Sequence, residues 1–186
     1  MAGYALAQHD RMIAAMLMPC VVCAVDLAEG MIRVRSGDWV SPWVRWHSQA
    51  AGKARHWRVP SLGEGGALLN PSGVPGIGTF VPGLYSSAGP QPDNRDHVEV
   101  WRFDDGGSLV YDWQANSYTI DLPVGTVTIH VGGSVLEVTP DRIRVVSGKI
   151  DLVGEVTVDG PLHITGNVTC DASIIDATGN SNHHTH

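Results

Sequence analysis

The sequence predicts an all-β protein with one N-terminal helix, a small barrel and an intertwined trimeric shaft, and three observations predict it. Twenty-two glycines and eleven prolines punctuate Val/Ile/Thr-rich stretches, which gives many short strands and many turns. Towards the C-terminus, apolar-x-apolar pairs recur about every six residues: Ile150/Leu152, Val156/Val158, Leu162/Ile164 and Val168/Cys170, with Ile143/Val145 one residue off the beat. The chain then ends His183-His184-Thr185-His186, so that His184 and His186 repeat the same i, i+2 form with imidazoles.

The N-terminal helix is expected within residues 1–17, with Leu6, Ile13, Met16 and Leu17 near one face. Pro19 is expected to separate it from a strand running from about Cys20 to Asp26. Arg11 followed by the apolar run Met12 to Val25 has the outline of a short signal-peptide core. The run is too short to span a bilayer, Pro19 interrupts it and Asp26 closes it, so no signal peptide is expected. Strands follow at Met31 to Val34, Trp43 to Trp46, Ala67 to Leu69 and Thr79 to Leu84, and five short strands fit a closed barrel of the OB type over residues 18–85. The loop from Ser48 to Val59 carries Lys53, Arg55, His56 and Arg58, a basic patch that fits a solvated loop or a partner contact.

Residues 86–97, rich in Pro, Gly, Ser and Asp and almost without apolar side chains, read as a linker. Alternating strands then follow at Val98 to Phe103, Ser108 to Trp113, Ser117 to Leu122 and Thr126 to Val131, leading directly into the ladder. The shaft is expected over residues 98–178 and an apex over 179–186.

Both members of an apolar-x-apolar pair face the same side of a strand, and turn formers such as Asp159-Gly160-Pro161 and Gly166-Asn167 separate the pairs. A single-chain β-helix built on hexads needs several stacked coils to bury a core, and these few hexads complete fewer than two. Three intertwined chains, each giving one face of a prism, need only a few hexads, because all three chains line every layer. Each valine or leucine so buried contributes about 1.5–3 kcal/mol. A homotrimer is therefore expected.

With nineteen acidic against twelve basic side chains, the chain offers no nucleic-acid surface, and no nucleic-acid partner is expected. Cys20 and Cys23 have CxxC spacing but would face opposite sides of a strand, and no second such pair exists; both, like Cys170, read as small hydrophobes. No G-x-S-x-G, P-loop or H-E-x-x-H motif occurs, His130 and His163 sit within strands in structural roles, and no enzyme is expected. Asn167-Val168-Thr169 matches a glycosylation acceptor, but Val168 is an inward ladder position. The rival function is a trimeric hexapeptide-repeat transferase, which needs more hexads and a site partway along the prism.

Three chains with two inward histidines each supply six imidazoles around one axis. Zinc usually takes four ligands, whereas six nitrogen donors suit Fe(II) or Ni(II). By alternation His183 points outward and is not counted as a ligand.

The segment from Trp57-Arg58-Val59-Pro60-Ser61-Leu62-Gly63-Glu64 to Leu69, then Pro71-Ser72-Gly73 and Val81-Pro82-Gly83-Leu84-Tyr85, resembles the N-terminal domain of the phage baseplate assembly protein V family, the central spikes of contractile tails. Phe103-Asp104-Asp105-Gly106-Gly107-Ser108, Val110-Tyr111-Asp112 and Leu122-Pro123-Val124-Gly125-Thr126-Val127-Thr128-Ile129 continue the likeness, and the terminal His-x-His completes it. The resemblance implies an OB-fold collar on the baseplate hub, a trimeric shaft, and a pointed apex holding one iron ion through His184 and His186 of three chains. It also implies a place at the tail tip of the virion and the piercing of the host outer membrane. With the sequence ending at His186, terminal carboxylates are expected near the metal.

Overall fold

A computed structural model of the chain describes residues 2–74 and 76–172. It forms two compact units, Met1–Pro123 and Val124–His186. The architecture is β-dominated with one N-terminal helix, α1 (Ala2–Met16).

The first unit begins with a barrel. Its strands are β1 (Leu17–Asp26), β2 (Met31–Ser36), β3 (Trp39–Val40), β4 (Arg45–Trp46), β5 (Gly65–Leu69) and β6 (Thr79–Leu84), in the sheet order β3-β2-β1-β5-β6-β4. The sheet returns on itself where Ile32 and Val44 exchange two backbone hydrogen bonds of 2.9 Å. Closure puts Cys20, Val22, Ile32, Val34, Val44, Leu68 and Phe80 into one buried cluster. Gly66 is a close-approach position: a Cβ there would collide with the Phe80 ring and the Val81 carbonyl, so the ring lies across β5 only because no side chain intervenes. The β1–β2 turn follows from Asp26, whose Oδ1 accepts the N–H groups of Ala28 and Glu29.

Pro19 does not mark the boundary expected of it. The helix passes into β1 at Leu17, and Pro19 sits inside the strand opposite Ala67. Val22 donates its N–H toward Glu64 on the β5 side, so by two-residue alternation Pro19 faces the other side, where pairing with β2 begins only at Val21. No ladder bond is lost there. The expected apolar helix face, Leu6, Ile13 and Met16, is exposed instead of packed on the barrel. The helix is held at its C-terminal end by buried Asn70, whose N–H and Nδ2 donate to the carbonyls of Met16 and Ala15 at 2.8 and 2.7 Å.

Two three-stranded antiparallel meanders follow. One lies in the first unit: β7 (Val98–Arg102), β8 (Ser108–Asp112) and β9 (Ser117–Asp121). The other lies in the second: β10 (Val127–Val131), β11 (Ser134–Thr139) and β12 (Arg142–Val146). Strands β3 and β11 were absent from the sequence-based expectation. Strand β3 is too short to alternate, and in β11 the adjacent Val135 and Leu136 blur the alternation, although Gly132-Gly133 and Pro140-Asp141 mark turns on either side. Ile143 and Val145 correct the ladder in turn. Expected as its first rung, they belong to β12, which explains why they fall off the beat.

Candidate functional site

In an antiparallel pair, residues directly opposite each other share a face, and the registers therefore sort each meander into two sides. In β10–β12 the pairs Val127/Val138, Ile129/Leu136, Val138/Ile143 and Leu136/Val145 put an aliphatic face on one side, with Ser134 opposite Val131 at its end. The other side carries Thr128, His130, Glu137, Arg142 and Arg144, with Arg142 donating to Glu137 at 2.8 Å. Among the described residues nothing covers the aliphatic side: Ile129 is 57% exposed and Ile143 70%. A free monomer with such a face would be unusual, since contiguous apolar patches on soluble chains mark interaction sites.

The first meander gathers larger apolar side chains on one side, with Glu99 among them. Trp101, Leu109 and Ile120 share a face by register, as do Tyr111 and Tyr118, whose ring centroids are 6.5 Å apart. Phe103, Trp113 and Leu122 extend that alternation, and all of these except Leu109 are exposed large hydrophobics. The sequence analysis places these strands but not their shared aromatic side. The signal was present in Trp101-x-Phe103, Tyr111-x-Trp113 and Tyr118-x-Ile120-x-Leu122.

From Ser147 to Ala172 the single chain makes bends but no strand. The ladder's expected short strands thus have no hydrogen-bonded partner within the described chain. Its apolar pairs are all open, with Leu152 at 72% exposure and Ile164 at 50%. His184 and His186, with His183 and the whole of the expected apex, lie outside the described residues. Among the described residues no group of His, Cys, Asp and Glu is arranged to hold a metal.

Where the barrel leads into β7, a cluster of charges fixes the chain. Arg95 donates to Asp93 at 2.8 Å and reaches Asp112 at 3.4 Å, and His97 lies beside Asp96. The Arg95 guanidinium holds the Asp93 carboxyl well below the usual carboxylate range. On the barrel, Arg58 makes a bidentate pair with Glu64, at 3.0 and 2.6 Å, and the Ser61 N–H donates to the same carboxylate at 2.9 Å. Burial works against ionisation of Glu64, but these hydrogen bonds and the guanidinium charge outweigh it and leave its pKa lowered. Arg58 is thus engaged by Glu64 and is not one of a free basic patch. Burial pushes the Cys20 thiol up, consistent with an inert core cysteine, while Cys23 is exposed.

The Arg58–Glu64 clamp gives a pH prediction with a definite sign. A carboxylate whose folded pKa is depressed stabilises above its unfolded value, about 4.3, and that contribution is lost as pH falls through the lower folded value. Trp57 stands in the clamped loop with its ring 5.3 Å from that of Trp46. Tryptophan emission is expected to stay constant from neutral pH to about 5 and to change below about 4, and Glu64→Gln should remove that transition.

Two family models match the chain. Residues 18–85 match the model described as "Type VI secretion system/phage-baseplate injector OB domain", and residues 99–170 match "Gp138, beta helical trimerization domain". The chain is 29% identical over 138 residues to the "Spike protein" of Escherichia phage P2, covering 74% of this chain and 64% of that relative's length. The matched regions follow one another in the order of an injector OB domain and a β-helical trimerization domain. The chain is thus similar to these two domains over residues 18–85 and 99–170, and to this spike protein over about three quarters of its own length.

Proposed function

We propose that the chain is the homotrimeric spike at the tip of a contractile phage tail or tail-like particle. In this reading the barrel attaches it to the baseplate hub, and the shaft pierces the host outer membrane when the tail contracts. The observation that carries it is the uncovered aliphatic side of β10–β12, continued by the open apolar pairs from Ile150 to Val168. A chain that exposes this much apolar surface along a segment matching a trimerization domain has its natural cover in two further copies. Strands paired between chains also suit a mechanical task, because intertwined closed sheets resist force through slow unfolding and not through equilibrium stability alone. No substrate is required. The hexapeptide-repeat transferase gains no support, since the matched domains are those of a structural spike.

The tip belongs to the same proposal. His184 and His186 of three chains would hold one ion per trimer; six neutral imidazoles form a donor set suited to Fe(II) or Ni(II), and iron is the ion the family resemblance implies. The ion would pin the three chain ends together. Antibody raised against the chain and viewed on intact tails by electron microscopy tests the placement. Label at the distal end of the tube is the expected result, and label along the sheath, or its absence from tails, would contradict it.

A further inference from the structure

Within the first unit a groove of about 1180 Å³ runs between the Trp57–Glu64 loop, the Leu84–Pro92 segment and the start of the first meander. Its apolar walls are Trp57, Leu62, Leu84, Tyr85, Trp101 and Phe103. All six are exposed, Trp57 to 65% and Leu62 to 68%. We infer that this groove is an inter-subunit socket, filled by a second copy of the chain, so that the collar region takes part in the trimer and does not merely ride on the shaft. The inference rests on the trimer reading above and adds a surface that the shaft alone does not include.

Three observations carry it. First, the groove is continuous with the face expected to bury between chains. Trp101, Phe103 and Leu109 line the groove and also belong to the aromatic side of β7–β9, and all three fall inside the segment matching the trimerization domain. An interface that covers Trp101 and Phe103 would reach Trp57 and Leu62, which line the same groove. Second, the loop is built in advance. Glu64 clamps Arg58 and the Ser61 N–H, and Trp57 leans on Trp46, so two large apolar side chains are held outward at little ordering cost. Rigidly presented Trp residues in apolar hollows are characteristic anchors of protein interfaces. Third, a three-fold ring needs a heterologous contact, with one surface of each chain meeting a different surface of the next. The groove, with the aromatic sheet that continues it, supplies one such surface on each chain.

The test uses the full chain carrying Leu62→Cys. Its maleimide labelling is followed residue by residue by mass spectrometry, with the urea-unfolded chain as reference and the particle mass measured in parallel. In a free monomer the introduced thiol is open and should react near the unfolded rate. In the trimer the socket predicts labelling slowed by at least about tenfold. Three chain masses with labelling near the unfolded rate would overturn the socket and leave the trimer standing. Fast labelling in the isolated trimer that slows only in assembled tails would overturn it in favour of the hub as occupant. A single-chain mass would overturn both this inference and the spike reading on which it rests.

Discussion

Ile129→Asp is expected to reduce the particle from three chains to one, whereas His130→Asp, one residue along the same strand, should leave the trimer intact. The register of β10 with β11 sets Ile129 against Leu136 on the aliphatic side and His130 against Val135 on the other. Three carboxylates carried inward by Ile129→Asp would meet without counter-ions, and each buried unpaired charge costs several kcal/mol. At His130 the added carboxylate stays in water beside Thr128 and Glu137, where its effect should remain below about 1 kcal/mol. Leu162→Asp in the ladder should behave like Ile129→Asp. The barrel should survive in both assembly-defective proteins, because Ile32, Val34, Leu68 and Phe80 form a core within one chain. Light scattering reads the masses, and the barrel's near-ultraviolet signal reports its folding. Equal masses for Ile129→Asp and the parent chain would mean that this face does not lie between chains.

Changing His184 or His186 to Ala should abolish metal binding, whereas His183→Ala should retain it. The argument is alternation: residues i and i+2 leave a strand on the same side, so the two outer members of His184-Thr185-His186 can converge and His183 cannot join them. Either alanine variant would halve the proposed six-imidazole set. The ligands must be neutral, so acidification through the histidine range, about pH 6.5, should release the ion from the parent chain. The shaft should stay trimeric throughout, since apolar packing supplies its stability. Elemental analysis checks the stoichiometry; one ion per chain, or binding retained by His186→Ala, would sink the shared site.

The barrel and the shaft were legible in the sequence because each rests on local signals. Turn chemistry at Asp26 to Gly30 and the pairs from Ile150 onward need no knowledge of distant residues. Pro19 misled because the penalty for a proline in a strand depends on which neighbour its missing N–H would have met, and that is settled by where β2 begins to pair. Ile143 and Val145 misled because an apolar-x-apolar pair looks the same in a meander and in a hexad ladder. The groove could not be read at all. Trp57 and Trp101 stand forty-four positions apart, and only the fold of the intervening chain puts them on one cavity. The histidine pair lies outside the described residues, and its assignment rests on spacing, donor chemistry and the family resemblance.

The account's central claim is that residues 147–172 become ordered strands only between chains, because one chain alone gives them no hydrogen-bonded ladder. Amide hydrogen exchange of the full chain measures this directly. The account predicts that amides from Ile150 to Val168 exchange as slowly as those of barrel strands β1 and β5, through bonds that no single chain supplies. Exchange across that segment at the rate of an unstructured peptide, in a protein whose barrel is fully protected, would contradict it.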